Sequence, residues 1–262
     1  MPMPMPMPMP IPMPMLSDFA LRLAGGMAGT LLITPSRDVP LTFFRTHCLV
    51  ILGLLVLAAL AMATGRPALD QATWAIIAAG TLAFLGSAAW GLGVVRVALP
   101  MTLVVAATAG GLLVDASRAA PVAEWAQGAA TRLASAGLLG TTLTAMLLGH
   151  HYLTAPAMSI VPLRRFVRGM AWALGLRALL AAIGAALWAL DRDSAAAATT
   201  LTLAVRWGMG IGGPALSAYM TWETVKIRST QSATGILYIA MTLVLFGELT
   251  GMVLSRGVGY QL

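Results

Sequence analysis

Long apolar stretches alternate with short polar or turn-forming segments along most of the chain. Each stretch is close to the 20 or so residues that an α-helix needs to cross a bilayer. Backbone amides in lipid must be satisfied within their own segment, so the stretches are predicted as helices rather than strands. The first of them is interrupted by Arg22 and by Gly25-Gly26. The predicted spans are 18–35, 46–64, 72–94, 97–115, 131–153, 169–190, 197–220 and 233–255.

Turn-forming residues separate these spans. Pro35 and Pro40 follow the first span, Gly65-Arg66-Pro67 follows the second, and Asp191-Arg192-Asp193 is predicted as a hairpin between the sixth and the seventh. The fold class is therefore an all-α, polytopic membrane helix bundle with about eight transmembrane helices. A seven-span alternative places the first segment on the membrane surface and keeps the other orientations.

The chain begins with a Met-Pro repeat, MPMPMPMPMPIPMPM. Alternating prolines exclude a helix, so residues 1–16 are predicted as a disordered, extended arm before a single transmembrane domain at 17–262. The thioethers of the arm are ligands that suit Cu(I). The alternative explanation is a start-site artefact, with Met13 or Met15 as the true first residue.

The composition indicates the class of protein. Hydrophobic residues make up 59% of the 262 residues and charged residues 10%, whereas a soluble domain has about a quarter charged residues. The net charge is +7, and the basic residues that produce it lie near the ends of the predicted spans. The expected partner is therefore the lipid bilayer and not nucleic acid. The dominance of arginine over lysine, with Lys226 as the single lysine, indicates a GC-rich bacterial genome.

The distribution of basic residues predicts the orientation. Lysine and arginine near span ends prefer the cytoplasmic side of a membrane. Both termini are therefore predicted on the periplasmic side of the bacterial inner membrane. The predicted cytoplasmic loops carry Arg37, Arg45, Arg96, Arg164, Arg165, Arg168, Lys226 and Arg228, and the other side carries Arg66, Arg118, Arg132, Arg192 and Arg256 diluted by six acidic residues.

Three histidines fall at the predicted cytoplasmic face. His47 opens the second span, and His150 and His151 lie near the end of the fifth, followed by Tyr152. Imidazoles from two helices are what bis-axial ligation of a b-type haem requires, and a histidine near a helix end is a suitable donor to a quinone carbonyl. These residues are therefore predicted to bind quinone or haem b. The alternative is a set of histidines wetted at the membrane interface.

A polar run between the last two spans reaches the same face, in the segment AYMTWETVKIRSTQSATGILY. Glu223 and Lys226 have the i, i+3 spacing of a helical ion pair. Glu223 is an acid on an otherwise basic side, and it is assigned to the same candidate cofactor-binding site as the histidines. A helix end with its cap and its positive-inside charge is the alternative explanation.

Two ionisable residues are predicted deep in the membrane. Arg206 and Glu248 lie at matching depths in the last two spans, which predicts a buried charge pair. The segment WGMGIGGP follows Arg206, and Gly208 with Gly212 forms a small-xxx-small pattern before Gly213-Pro214, which predicts a kinked or broken helix. Arg177 is a further buried cation for which the sequence indicates no partner.

The last span, LVLFGELTGMVLSRG, resembles the ending of the eight-span membrane anchors of bacterial DMSO and polysulfide reductases. The matching residues are Gly247, Glu248 and Gly251, whereas Met252 replaces the expected arginine. The resemblance covers about fifteen residues and the span count. It implies a quinol-interacting integral subunit that has no catalytic metal of its own and docks on partner subunits.

Two function classes follow from these features, and a third class requires no ligand-binding site. The first is an integral subunit of a bacterial respiratory or electron-transfer complex that binds quinone or b-type haem and is not a self-contained enzyme. The second is a small-solute transporter or permease that uses the Gly-rich broken helix and the Arg206–Glu248 pair. The third is a structural or assembly membrane protein. Cys48 is the only cysteine, and no nucleotide loop, HExxH motif or catalytic triad is visible.

Overall fold

The described part of the protein consists of helices joined by short connections. The computed structural model describes residues 13–64, 68–116, 120–154, 158–190 and 200–258, and within these ranges it contains no strand. The helices are α1 Met15–Leu32, α2 Leu41–Ala63, α3 Gln71–Gly91, α4 Val95–Asp115, α5 Val122–Thr154, α6 Val161–Leu190, α7 Thr200–Trp207, a π-helical segment Gly208–Gly212, α8 Gly213–Lys226 and α9 Thr230–Val258. The all-helical prediction is confirmed for these residues.

Six of the helices are long and apolar enough to cross a membrane, which indicates a multi-pass membrane protein. They are α2, α3, α4, α5, α6 and α9. The first predicted span corresponds to α1, and the seventh is divided into α7, the π segment and α8. The Met-Pro repeat up to residue 12 and the predicted hairpin at 191–193 lie outside the described residues, and α1 begins within the predicted arm, at Met15.

Several helices extend beyond the spans that the hydrophobic pattern delimits. Helix α5 begins at Val122 instead of residue 131, and α6 begins at Val161 instead of residue 169. Residues that precede these predicted spans, such as Glu124 and Arg168, are on the helices themselves. A helix satisfies its own backbone groups in water as well as in lipid, so apolar length underestimates helix length.

Helix α1 lies inside the bundle, packed against α2, α4 and α5. Its closest approach is to α5, where Gly26 and Gly140 bring the two backbones into direct contact. A Cβ on Gly26 would overlap the carbonyl oxygen of Ala136, and a Cβ on Gly140 would overlap the backbone of Gly26. The glycines that interrupt the apolar pattern of the first span therefore permit this crossing.

Cross-helix contacts define the two ends of the bundle. Met13, Ala116, Arg132 and Arg256 line one cavity, so the start of α1, the end of α4, the start of α5 and the end of α9 share one end, the N-terminal face. The end of α1 meets the start of α6 at the other end, the opposite face, where Arg165 donates a hydrogen bond to Asp38 at 2.7 Å. Helices α1 and α5 consequently run parallel.

Candidate functional site

The centre of the site is Glu248, whose carboxylate lies between two buried arginines. Arg177 Nε on α6 donates to Oε1 and Oε2 of Glu248 at 3.0 and 3.1 Å. Arg206 Nη1 on α7 lies 3.4 Å from Oε1. All three residues are at most 1% exposed. The structure thus places the two residues of the predicted pair within ion-pair distance, and it gives Glu248 a shorter bond to Arg177, for which the sequence indicated no partner.

A second charged group lies nearer the N-terminal face. The Arg22 guanidinium donates to both carboxylate oxygens of Asp18, at 3.0 and 2.9 Å, one helical turn earlier on α1. Arg132 Nε lies 3.6 Å from the same carboxylate. Arg22 Nη1 also donates to the Ser135 hydroxyl at 3.2 Å, and that hydroxyl interacts with Glu248. Ser135 therefore joins the two charged groups into one buried network, the charge cluster.

A cavity of about 380 Å³ connects this cluster to the N-terminal face. Arg177 lines this cavity and lies 13 residues before the end of α6, which corresponds to roughly 20 Å at the helical rise. The cavity is therefore a polar pocket that extends from the end of the bundle to membrane depth. Its lining includes Asp18, Arg22, Thr131, Arg132, Arg177, Ser255 and Arg256.

The charge cluster has an excess of positive charge. It contains four arginines, at positions 22, 132, 177 and 206, and two carboxylates, Asp18 and Glu248. The cavity itself is lined by Arg22, Arg132, Arg177 and Arg256 and by a single carboxylate residue, Asp18, whereas the buried Arg206 does not line it. Charges interact more strongly in a low-dielectric interior than in water. The cavity is accordingly suited to a ligand that supplies oxygen acceptors or negative charge.

The π segment positions Arg206. Gly210 lies directly against Gly247 of α9, and a Cβ on Gly210 would also overlap the Arg206 guanidinium. The predicted break of the helix is present as five residues of π-helix, a feature frequent at functional sites. Gly208 and Gly212, the predicted contact face, are exposed, and Gly210 makes the contact with α9. A π segment changes which residues face the neighbouring helix.

The histidines are placed differently from one another. His47 is 2% exposed, its Nδ1 bonds the Phe43 carbonyl at 2.7 Å, and it interacts electrostatically with His151. His150 is exposed, and its Nδ1 lies 3.3 Å from the Tyr238 hydroxyl. The structure therefore brings His47 near His151 and not near His150.

The remaining predicted residues of that face have other partners. The Tyr152 hydroxyl donates to the Ser159 carbonyl. Glu223 accepts a hydrogen bond from Lys226 Nζ at 2.6 Å on α8, a helix that packs on α6 and α9. Cavities of about 380, 460 and 540 Å³ open on the described surface, and neither His47 nor His151 lines any of them.

Asp18, Arg22, Arg132 and Ser135 are site residues that the sequence does not single out. Asp18 and Arg22 are spaced i, i+4, which is the signal for a helical ion pair, but they interrupt an apolar pattern near a span end. Ser135 carries no such signal. No protein-family model, no curated protein and no solved structure matches the chain, so the site is interpreted from its own geometry.

Proposed function

We propose that the protein is an integral membrane subunit of a bacterial electron-transfer complex that binds a quinone head group in the cavity beside Arg177. The observation that carries the proposal is the arginine-rich polar cavity that extends from the N-terminal face to Arg177, the arginine that donates to the buried Glu248. In this proposal the protein is a non-catalytic subunit with eight spans, it resides in the inner membrane, and its N-terminal face is periplasmic.

The chemistry of a quinone head group matches the lining of the cavity. Its carbonyl oxygens accept hydrogen bonds, and guanidinium groups are strong donors to such oxygens. Reduction of a quinone places negative charge on those oxygens, which the excess of arginine stabilises. Met13, Ala116 and Met252 supply apolar surface in the same cavity. Haem is not carried into the proposal, because it was predicted for the histidines and no histidine is among the lining residues of the cavity beside Arg177.

Quinone binding by an Arg132→Gln variant tests the proposal. Arg132 lines the cavity, and its removal leaves the Asp18–Arg22 pair intact, so the fold is expected to persist. Loss of a hydrogen bond to a charged donor costs about 1.5–3 kcal/mol, so the affinity for decylubiquinone is expected to fall about tenfold or more. The measurement is calorimetric titration of the purified protein in detergent, with menadione as a second probe.

Two control variants locate the site. Arg96→Gln removes an exposed arginine from the start of α4, away from the cavity, and is expected to bind decylubiquinone like the wild type. His151→Gln changes the histidine face and is also expected to leave binding unchanged. If His151→Gln abolished binding while Arg132→Gln did not, the quinone site would be at the histidines and the cavity assignment would be wrong.

A small-anion permease is the second candidate, and the π segment beside Arg206 favours it. Broken helices beside buried charges line substrate sites in many transporters. Reconstituted protein is the test, by measuring efflux of chloride and of phosphate from proteoliposomes. Efflux that is lost in Arg132→Gln, together with no quinone binding, would replace the electron-transfer proposal with the permease.

A further inference from the structure

A second cavity lies on the membrane-facing side of the bundle, between α6 and the α8 region. It has a volume of about 460 Å³, and five of its lining residues are small. Ala171, Gly175 and Ala178 contribute from α6, and Ala215 and Ala218 contribute from α8. This lipid groove does not belong to the charge cluster, because none of the residues of that cluster lines it.

Polar and aromatic side chains mark one end of the lipid groove. Arg168, Tyr219 and Trp222 line it near the start of α6 and the end of α8, which is the opposite face of the bundle. Tryptophan and tyrosine are enriched where the head groups of a membrane meet its hydrocarbon. The groove therefore has a polar end at the level of the lipid head groups and an apolar end at the level of the acyl chains, which matches the two parts of a phospholipid.

Arg168 is available to a ligand at this end. It is exposed, and among the described residues it makes no hydrogen bond or ion pair. Arg165, one turn earlier, is instead occupied by Asp38 at 2.7 Å. A guanidinium binds a phosphate through two parallel hydrogen bonds, and basic pockets between helices on the cytoplasmic side recognise anionic head groups.

The length of the groove distinguishes a lipid chain from a partner helix. Arg168 and Ala178 are ten residues apart on α6, which corresponds to about 15 Å. This is half of the roughly 30 Å of hydrocarbon in a bilayer, and thus the depth of one leaflet. A transmembrane helix of another subunit would require a contact along the full thickness.

We propose that the lipid groove binds one phospholipid with a net negative head group, with its phosphate on Arg168 and one acyl chain between α6 and α8. The lipid comes from the leaflet at the opposite face, which the distribution of arginine predicts to be cytoplasmic. The site is independent of the quinone proposal, since it shares no residue with the cavity at the N-terminal face.

The test is native mass spectrometry of the protein released from nanodiscs of equal parts phosphatidylglycerol and phosphatidylcholine. The wild type is expected to retain one phosphatidylglycerol. In Arg168→Gln the retention of phosphatidylglycerol is expected to fall about fivefold. This factor corresponds to about 1 kcal/mol, the usual contribution of one arginine to the binding of anionic lipid. Gly175→Leu fills the groove at a position with open space around it, and is expected to lose the lipid while the fold is kept.

Matched controls accompany both variants. Arg96→Gln removes another exposed arginine from the opposite face, and Gly53→Leu fills another open glycine position on a membrane-facing helix. Both are expected to retain phosphatidylglycerol like the wild type. Equal retention by all five proteins would overturn the proposal, and so would equal retention of the two lipids. A wild-type dimer that Gly175→Leu dissociates would assign the groove to a second copy of the chain instead.

Discussion

At the scale of single residues, the buried charges around Glu248 form a triad and not a pair. Glu248 is bonded by Arg177 and lies within ion-pair distance of Arg206, and all three side chains are buried. The membrane depths predicted from sequence position were sufficient to pair Arg206 with Glu248. They were not sufficient to match Arg177 with Glu248, because the rotation of α6 about its axis decides which of its faces α9 meets.

The triad predicts an order of effects on the free energy of unfolding. Glu248→Gln leaves two arginines without their shared carboxylate, and removal of one partner of a buried pair costs about 3–5 kcal/mol. Arg206→Met leaves the Arg177–Glu248 bond in place, so its effect is expected to be smaller. Thermal unfolding of the purified variants, followed by tryptophan fluorescence, measures both.

Combined variants distinguish the triad from an isolated pair. In an isolated pair, Glu248→Gln would restore much of the stability lost in Arg206→Met. In the triad that double variant still removes the carboxylate from Arg177, so no restoration is expected. The triple variant Arg177→Met, Arg206→Met and Glu248→Gln is expected to be close to the wild type, as for other buried ion triads replaced together. Restoration by the double variant would contradict the geometry.

At the scale of helices, two glycine contacts set the packing. Gly26 of α1 meets Gly140 of α5, and Gly210 of the π segment meets Gly247 of α9. Composition shows that the chain is rich in glycine, but it does not show which glycines touch. The predicted Gly208–Gly212 face illustrates this, since the π segment puts Gly210 at the contact instead.

Gly140→Ala tests the first contact. Its methyl group would overlap the backbone of Gly26 and push α1 away from α5, and overpacking of this kind costs about 1–3 kcal/mol. Gly137→Ala is the matched control, one turn earlier on the same helix with open space around the added methyl. It is expected to be neutral or slightly stabilising, because alanine favours a helix over glycine. Equal melting temperatures for the two variants would contradict the close approach of α1 and α5.

At the scale of the whole molecule, the helical class and the approximate position of most spans could be predicted from the sequence. A chain this apolar must satisfy its backbone groups within helices, so the pattern alone identifies them. The cavity could not be predicted, because it depends on contacts between distant segments. Arg22 and Ser135 are 113 residues apart, and Arg177 and Glu248 are 71 residues apart.

The orientation of the bundle leads to a labelling experiment. Arg256 lies at the N-terminal face and Arg37 beyond the end of α1, at the opposite face. In spheroplasts, Arg256→Cys is expected to react with a membrane-impermeant maleimide, and Arg37→Cys only after permeabilisation. The wild type is the control, because its thiol at Cys48 is buried. The reverse pattern would invert the assignment of the two faces, and labelling of both in intact cells would refute it.

The contact between α1 and α5 also has a consequence in time. A ribosome that adds about 5–20 residues per second needs roughly 6 to 23 s to progress from Arg22 to Ser135, its partner 113 residues later. During that interval α1 has left the ribosome with a charged pair, Asp18 and Arg22, and without the helix that buries it. Helices α2, α3 and α4 are synthesised after α1 and before α5, and α2 and α4 are the other neighbours of α1 in the finished bundle. Until α5 is made, the Asp18–Arg22 pair of nascent α1 must therefore be kept out of the lipid hydrocarbon by these helices or by the insertion machinery.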